Sequence, residues 1–241
     1  IFKDADPDGY TIGIWSPGII TSKAMGVVDY DHTAFTVLGG TGLTEIGLGV
    51  LKDSKYGSPG DVIEASKSDP GSVVVATNIG LPVHFIPMMF ADAADIDLKF
   101  VQIGGGAKRL ASILGGHTDT GLFSVSEFKR FEESGLSPLV LFSDKRSVSL
   151  PDTPTAKEAG VDLSISVMRV LLAPEGLDTG AQAKLDEVLQ ATLSDPEIAA
   201  ELKELNIDPA WIAAGEVSDR LDDMNARAKP LIEAARAVAK K

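Results

Sequence analysis

Short apolar runs alternate with amphipathic stretches along most of the chain, and each kind predicts a different element. The apolar runs, rich in β-branched residues, predict strands at 10–15, 34–38, 73–76, 99–103, 119–123, 138–142 and 163–172. The stretches between them predict helices at 59–67, 82–93, 107–114, 126–133 and 155–159. Strands that alternate with helices indicate an α/β protein built on a parallel sheet.

Capping residues and prolines refine the predicted helices. Ser58, Asp178 and Asp195 each precede a helical stretch and are expected to cap its N-terminus. Pro87 and Pro230 lie inside helical stretches and are expected to break or kink them. The last part of the chain is helical, at 179–193, 196–205 and 217–239.

The composition excludes several classes of protein. With 22 basic and 35 acidic residues among 241, the formal net charge is −13, which disfavours binding to nucleic acid or to an anionic lipid surface. No apolar run is long enough to span a membrane. The sequence has no cysteine, which excludes disulfides, thiolate nucleophiles and cysteine-based metal sites.

Motifs for catalysis or metal binding are not found. There is no nucleophile elbow and no phosphate loop, and the stretch 40–45 lacks the third glycine of a dinucleotide fingerprint. His32, His84 and His117 are too scattered to form a metal site. Adjacent carboxylates such as Glu132-Glu133 are typical of solvated helix faces. We therefore expect no enzyme activity, no cofactor and no metal.

Four corners rich in glycine and serine follow predicted strands: Ser16-Pro17-Gly18, Thr77-Asn78-Ile79-Gly80, Gly104-Gly105-Gly106-Ala107 and Ser124-Val125-Ser126. The last three precede helices, whose free N-terminal amides bind anions without any basic side chain. Because open α/β sheets bind ligands at the carboxyl ends of their strands, we expect all four corners on one edge, holding a carboxylate. The alternative is that the glycines only permit tight turns.

Within these corners, nine residues are expected to contact the ligand: Ser16, Gly18, Asn78, Gly80, Gly104, Gly105, Gly106, Ala107 and Ser124. Asn78 is favoured because its amide offers two donors in one planar group. His84, close to that corner, is a weaker candidate donor. The apolar residues Ile19, Ile20, Ile79 and Leu81 favour a ligand with an apolar body.

Several stretches together resemble one family of transport proteins. The stretch 7–11 is similar to the P-D-G-Y-T of the solute-binding receptors of tripartite tricarboxylate transporters. Further along, 104–107 with 114–119 resembles that family's G-G-A…L-L-G-G-x-x-D, 150–155 with 158–160 resembles L-P-D-V-P-T…E-A-G, and 172–176 resembles F-A-P-x-G. Four motifs in the same order, across nearly the whole chain, are specific.

The resemblance implies a two-lobed α/β receptor of the type II periplasmic-binding-protein (Venus-flytrap) architecture. Such a receptor closes on a small mono- or dicarboxylate in an interlobe cleft and delivers it to a membrane transporter. By position, lobe 1 comprises 1–42 and 168–241 and lobe 2 comprises 43–167, with hinge strands near 39–42 and 167–170.

The same resemblance implies a periplasmic monomer. Its expected partners are a small organic acid and the subunits of the membrane transporter, with no nucleic acid. A ligand sensor for a signalling partner is one alternative function, and an α/β enzyme acting on a carboxylate is another.

The chain departs from the family pattern in four places. Family members carry a strand–helix–strand unit before P-D-G-Y-T, so lobe 1 is expected to be incomplete at its N-terminus. The loop 16–20 is more apolar than usual, and Ile103-Gly104 replaces the usual Tyr-Lys. Met168-Arg169 replaces an aromatic pair. Arg169, on a hinge strand, is expected to pair with a second carboxylate of the ligand, unless it faces solvent or an acidic neighbour.

Overall fold

The computed structural model describes residues 2–205 and 207–239. The chain divides into two compact units, of which unit 1 comprises Ile1–Thr44 and Val167–Pro230 and unit 2 comprises Glu45–Ser166 and Leu231–Lys241. These bounds differ from the predicted lobes in the C-terminal segment. That segment was expected in lobe 1, whereas from Leu231 onward it belongs to unit 2.

The elements follow one another in a mixed order of strands and helices. The strands are β1 (Gly13–Trp15), β2 (Phe35–Thr44), β3 (Ile46–Leu51), β4 (Val74–Thr77), β5 (Lys99–Gln102), β6 (Thr120–Ser124), β7 (Leu136–Leu141), β8 (Val167–Pro174) and β9 (Asp208–Ala213). The α-helices are α1 (Gly18–Ala24), α2 (Pro59–Ser68), α3 (Pro82–Ala94), α4 (Gly106–Leu114), α5 (Val125–Phe131), α6 (Thr179–Ser194), α7 (Pro196–Glu204), α8 (Ala214–Ala228) and α9 (Ile232–Ala239).

Unit 1 is built on an antiparallel sheet with the strand order β1-β8-β2-β9. The prediction of a parallel sheet was therefore wrong for this part of the chain. Apolar residues of α1, β8 and α8 form a core against the sheet, among them Ile19, Val170 and Leu221, which are almost completely buried. Burial of such side chains is the main source of stability for a sheet covered by helices.

Unit 2 is built on a mixed sheet with the strand order β5-β4-β6-β3-β7. Strand β4 runs parallel to both of its neighbours, β5 and β6, and β3 runs antiparallel to β6 and β7. The carboxyl ends of β4, β5 and β6 therefore lie on one edge of this sheet. Buried clusters on α4, α5 and β6, and around α2, cover the sheet.

Several predicted boundaries differ from the structure where glycine stands in a strand. Strand β2 continues through Gly39 and Gly40, which the pattern placed at its end. A Cβ on Gly39 would collide with the ring of Trp211, so glycine there permits a close approach rather than a turn. Strand β3, rich in glycine, was not predicted at all. The stretch 155–159 forms turns rather than a helix.

Two prolines have different effects on their helices. Helix α3 continues through Pro87. At Pro230 the predicted long C-terminal helix is interrupted by a 3₁₀ turn, Lys229–Leu231, between α8 and α9. Within residues 2–205 and 207–239, no helix combines the length and the apolar character needed to cross a bilayer.

Candidate ligand-binding site

Three of the four predicted corners meet at the carboxyl edge of the unit 2 sheet. They follow β4, β5 and β6, which are neighbours in the order β5-β4-β6. Hydrogen bonds join the first two corners, since the Thr77 carbonyl accepts from the amides of Ile103 at 2.8 Å and Gly104 at 3.1 Å. The convergence predicted from the sequence is therefore observed for these three corners.

The corner 104–107 presents unengaged backbone donors. Gly105 is the N-cap of α4, and no side chain caps this helix among the described residues. The Gly104 amide is bonded to Thr77, and the Arg109 amide donates to the Gly105 carbonyl. The amides of Gly105, Gly106 and Ala107 form no hydrogen bond with a described residue, so the helix offers its free N-terminal donors at this edge.

A buried arginine lies directly behind these donors. Arg109 is 5% exposed, and its Nη1 donates to the Gly104 carbonyl at 2.9 Å. Its Nη2 lies 3.4 Å from Glu127 Oε1, and its guanidinium lies over the ring of Phe123. Burial lowers the pKa of Arg109 from its ordinary value, and the Glu127 carboxylate opposes that shift. Because arginine stays charged in proteins, a fixed cation lies beside this corner.

Glu127 has two structural tasks at the same edge. Its Oε2 accepts from the Ser124 amide at 2.9 Å, completing a capping box at the start of α5. Its Oε1 approaches α4 so closely that a Cβ on Gly106 would collide with it. A side chain at 106 would therefore displace the Glu127 carboxylate from this position. The sequence pattern did not single out either Arg109 or Glu127.

The serine corner is largely satisfied by its own hydrogen bonds. The Ser124 hydroxyl lies 2.9 Å from the Ser126 hydroxyl and donates to Glu127 Oε2 at 3.1 Å. It also accepts from the Glu127 amide. The Val125 amide donates to the Glu45 carbonyl. Ser124 therefore acts as a helix cap, the second role that the sequence allowed for these corners.

The corner 77–80 is held by Gln102, a residue that the sequence pattern does not single out. Gln102 Oε1 accepts from the Ile79 amide at 2.6 Å, and Gln102 Nε2 donates to Asn78 Oδ1 at 2.7 Å. The Gly80 amide donates to His84 Nδ1 at 3.3 Å. The expected ligand contact from the Gly80 amide is therefore replaced by an internal bond. A polar residue at the end of a strand, just before a glycine run, was the available signal for Gln102.

His84 is buried and neutral. Its side chain is fully buried and packs edge-on against Phe85 and Phe100. Burial disfavours the charged imidazolium and lowers the pKa of His84 to about 4. Because Nδ1 accepts a hydrogen bond, the proton of the neutral ring is on Nε2, which has no partner among the described residues. His84 supports the corner from within.

The fourth corner and Arg169 belong to unit 1. Ser16-Pro17-Gly18 follows β1 in the antiparallel sheet, so the expectation that all four corners share one sheet edge was wrong. The exposed Ser16 accepts from the Gly18 amide at 3.2 Å through its hydroxyl. Arg169, on β8, donates from Nη1 to the Gly42 carbonyl at 3.1 Å. This bond supports the neighbouring strand β2.

We find no second candidate for the ligand-binding site among the predicted residues that the structure describes. A surface cavity of about 530 Å³ lies elsewhere in unit 2, beside Ser58 and Asp152, and contains no predicted site residue. No group of three or more histidine, aspartate or glutamate side chains suited to a metal ion occurs in the part of the chain that the structure describes.

Comparison with known proteins agrees with the fold. A family model described as tripartite tricarboxylate transporter family receptor matches residues 1–236. The chain belongs to this family. Two curated relatives are a UPF0065 protein of Cupriavidus necator, 21% identical over 97% of the chain, and one of Agrobacterium vitis, 24% identical over 85%. The matched part spans 72% of the first relative's length and 61% of the second's.

Several solved structures share the fold. A TctC solute-binding protein from Polaromonas, solved without ligand, is 20% identical, with a TM-score of 0.84 over 97% of this chain and 81% of that one. A Rhodopseudomonas palustris protein solved with adipate is 22% identical, with a TM-score of 0.78 over 97% and 80%. The malate-bound MatC of the same organism is 19% identical, with a TM-score of 0.77 over 96% and 82%. The receptor has the two-lobed type II periplasmic-binding-protein fold.

Proposed function

We propose that this receptor binds a small organic mono- or dicarboxylate in the periplasm and delivers it to a tripartite tricarboxylate-type membrane transporter. The observation that supports the proposal best is the set of free amides at Gly105, Gly106 and Ala107, backed by the buried Arg109. The helix start favours a negative ligand group, Arg109 behind it is ion-paired with Glu127, and the edge is partly exposed to solvent.

The same arrangement explains how an acidic protein takes up an anion. The net charge of −13 repels anions at long range, but salt screens that field beyond roughly 8 Å. Close to the corner, the backbone dipoles at the start of α4 act beside an ion pair of opposite charges, Arg109 and Glu127. A carboxylate there accepts hydrogen bonds from donors that are already held in place, so little ordering is needed on binding.

The ligand class is supported by two relatives and by the chemistry of the edge. Adipate and malate, the acids in the two Rhodopseudomonas palustris structures, are both small aliphatic dicarboxylates. Amides and a carboxamide bind the carboxylate common to such acids and are indifferent to the rest of the ligand. We infer that binding leaves the acid chemically unchanged, because the hydroxyl and carboxylate paired at this edge, those of Ser124 and Glu127, are engaged in capping α5.

A ligand screen with one matched pair of variants tests the proposal. We expect a thermal shift with adipate, malate or another small acid, since a ligand at about 100 times its Kd adds about 2.7 kcal/mol of stability. Gly105 has open space around its Cβ position and an ordinary φ of −67°, so Gly105→Val folds normally but blocks the amides. We expect its affinity to fall at least about tenfold.

Gly215→Val is the control, because Gly215 is equally open and lies in the first turn of α8, in unit 1. It should keep the affinity of the parent protein. Unchanged affinity in a folded Gly105→Val variant, or the absence of any shift across aliphatic, aromatic and amino-acid carboxylates, would contradict the proposal. Recovery of the ligand in a chemically altered form would show that the protein acts as an enzyme rather than as a receptor. Capture of a signalling protein rather than transporter subunits would favour a sensor.

A further inference from the structure

The Ile79 backbone amide and the side-chain amides of Gln102 and Asn78 form a chain of hydrogen bonds. The Ile79 N–H fixes the orientation of the two side chains. The Ile79 N–H can only donate, so the Gln102 atom 2.6 Å away is the oxygen. The other end of the Gln102 amide is therefore its NH₂ group. That group lies 2.7 Å from Asn78 and donates to Oδ1. The Asn78 NH₂ group is then left with both of its N–H donors unused by any described residue.

Three backbone amides at this corner are already engaged. The amides of Ile79, Gly80 and Leu81 donate to Gln102 Oε1, to His84 Nδ1 and to the Asn78 carbonyl, respectively. Asn78 itself is partly exposed. A ligand at this corner therefore meets the Asn78 side chain, in the orientation that Gln102 imposes.

The neighbouring corner, 104–107, also offers hydrogen-bond donors. The Thr77 carbonyl holds the start of the 104–107 corner through the Ile103 and Gly104 amides. Next to it lie the unengaged amides of Gly105, Gly106 and Ala107, which are also donors. An ionised carboxylate accepts at both oxygens, whereas a carboxamide of the same shape brings its own NH₂ group against these donors.

We infer that Gln102 is a positioning residue that fixes Asn78 as a pure hydrogen-bond donor and so makes the site select an ionised carboxylate over the corresponding amide. The inference rests on the proposed function and extends it by naming the ligand group and the residue that enforces the choice. Gln102 acts through Asn78 and does not contact the ligand.

The test compares each acid with the amide in which no carboxylate is left. Affinities are measured by calorimetry for adipate and malate, for their diamides, and for any other acid that shifts the melting temperature together with its full amide. We expect the parent protein to prefer acid over amide by at least about tenfold, which is the value of one well-placed hydrogen bond. Gln102→Met keeps the shape of the exposed side chain but frees Asn78 to rotate, and we expect it to remove most of that preference.

A double-mutant cycle separates positioning from other roles of Gln102. In the Asn78→Ala background, Gln102→Met should change the preference ratio no further, because there is no amide left to orient. Gln190→Met, at an exposed position on α6, is the control and should leave the ratio unchanged. A merely structural role of Gln102 would lower the melting temperature without changing the ratio.

The outcomes distinguish the two proposals. An unchanged ratio in Gln102→Met, or an equal loss in the presence and absence of Asn78, overturns the positioning role while the receptor function stands. A parent protein that binds no acid at all overturns both. Loss of the ratio in Gln102→Met together with no further loss in the double variant supports the inference.

Discussion

The surroundings of a single buried side chain, that of His84, determine its protonation, and this has a measurable consequence. Its pKa is lowered by burial from the ordinary 6.5 to about 4 in the folded protein. Between these two pH values the unfolded chain binds the proton and the folded protein does not. The free energy of unfolding contributed by this group is therefore complete above pH 6.5 and falls as the pH drops towards 4, by about 3 kcal/mol in total.

Urea unfolding at pH 7 and pH 4 tests this for the parent and two variants. His84→Gln keeps a neutral acceptor for the Gly80 amide but does not titrate. We expect it to lose less stability on acidification than the parent, by about 3 kcal/mol. His117→Gln, at an exposed histidine, should behave as the parent does. The same pH dependence in His84→Gln and the parent would show that His84 is not the titrating group.

The site illustrates what a sequence can and cannot predict about single residues. Glycine corners after strands were recognisable because turns and helix starts have local signatures. The partners of those corners depend on which strands become neighbours. Gln102 meets Asn78, and Arg109 meets Glu127, only because β4, β5 and β6 adjoin, and no local pattern encodes that adjacency.

At the element scale, the continuity of α3 through Pro87 depends on a hydroxyl from a strand. Proline has no N–H, so the Val83 carbonyl four residues earlier loses its helical donor. The Thr77 hydroxyl supplies the missing bond to that carbonyl at 2.7 Å. Thr77 is fully buried, so Thr77→Val leaves the partly buried Val83 carbonyl unpaired and should cost about 1–3 kcal/mol of unfolding free energy.

The proline makes this prediction specific. In the Pro87→Ala background the backbone regains an N–H at this position, which can donate to the Val83 carbonyl, so Thr77→Val should cost less there, by about 1 kcal/mol. Thr120→Val is the control, because the buried Thr120 hydroxyl donates to the Gly49 carbonyl and no proline is involved. Chemical denaturation of each variant in both backgrounds measures the coupling. Equal costs of Thr77→Val in both backgrounds would mean that the hydroxyl does not replace the helical bond.

Element prediction succeeded where the signal was local. The helix after Ser58 was expected from its cap, and the structure shows a full capping box between Ser58 and Asp61. Strands β3 and β9 were missed, since glycine and proline carry little strand propensity. Gly47 in β3 is needed because a Cβ there would collide with the Val140 carbonyl of the adjacent strand. Such close approaches are decided by the sheet as a whole.

In the whole molecule, the order of the two units along the chain makes the stability of unit 1 depend on unit 2 more than the reverse. Most of unit 2 is one continuous stretch, Glu45–Ser166, whereas unit 1 is made of the two segments on either side of it. Thr44 and Val167, the residues next to that stretch, are paired in the ladder of β2 and β8. When unit 2 is folded, it therefore keeps Thr44 and Val167 close together, as the β2–β8 ladder of unit 1 requires.

If unit 2 unfolds, unit 1 must close a flexible loop of about 120 residues, at an entropic cost of roughly 4 kcal/mol. Both tryptophans, Trp15 and Trp211, lie in unit 1, so tryptophan fluorescence reports on unit 1 alone. Leu48→Ala removes a fully buried side chain from β3 in unit 2 and should cost about 2–5 kcal/mol there. We expect it also to lower the midpoint of the tryptophan transition.

The corresponding substitution in unit 1 should destabilise unit 1 and leave unit 2 unaffected. Leu172→Ala removes a fully buried side chain from β8 in unit 1 and should lower the tryptophan transition by itself. The β4 and β6 amides in unit 2 should stay protected from hydrogen exchange in that variant. The stretch Glu45–Ser166, which contains them, is continuous and closes no loop through unit 1. A tryptophan transition unaffected by Leu48→Ala would mean that unit 1 forms its β2–β8 ladder without help from the segment between those strands.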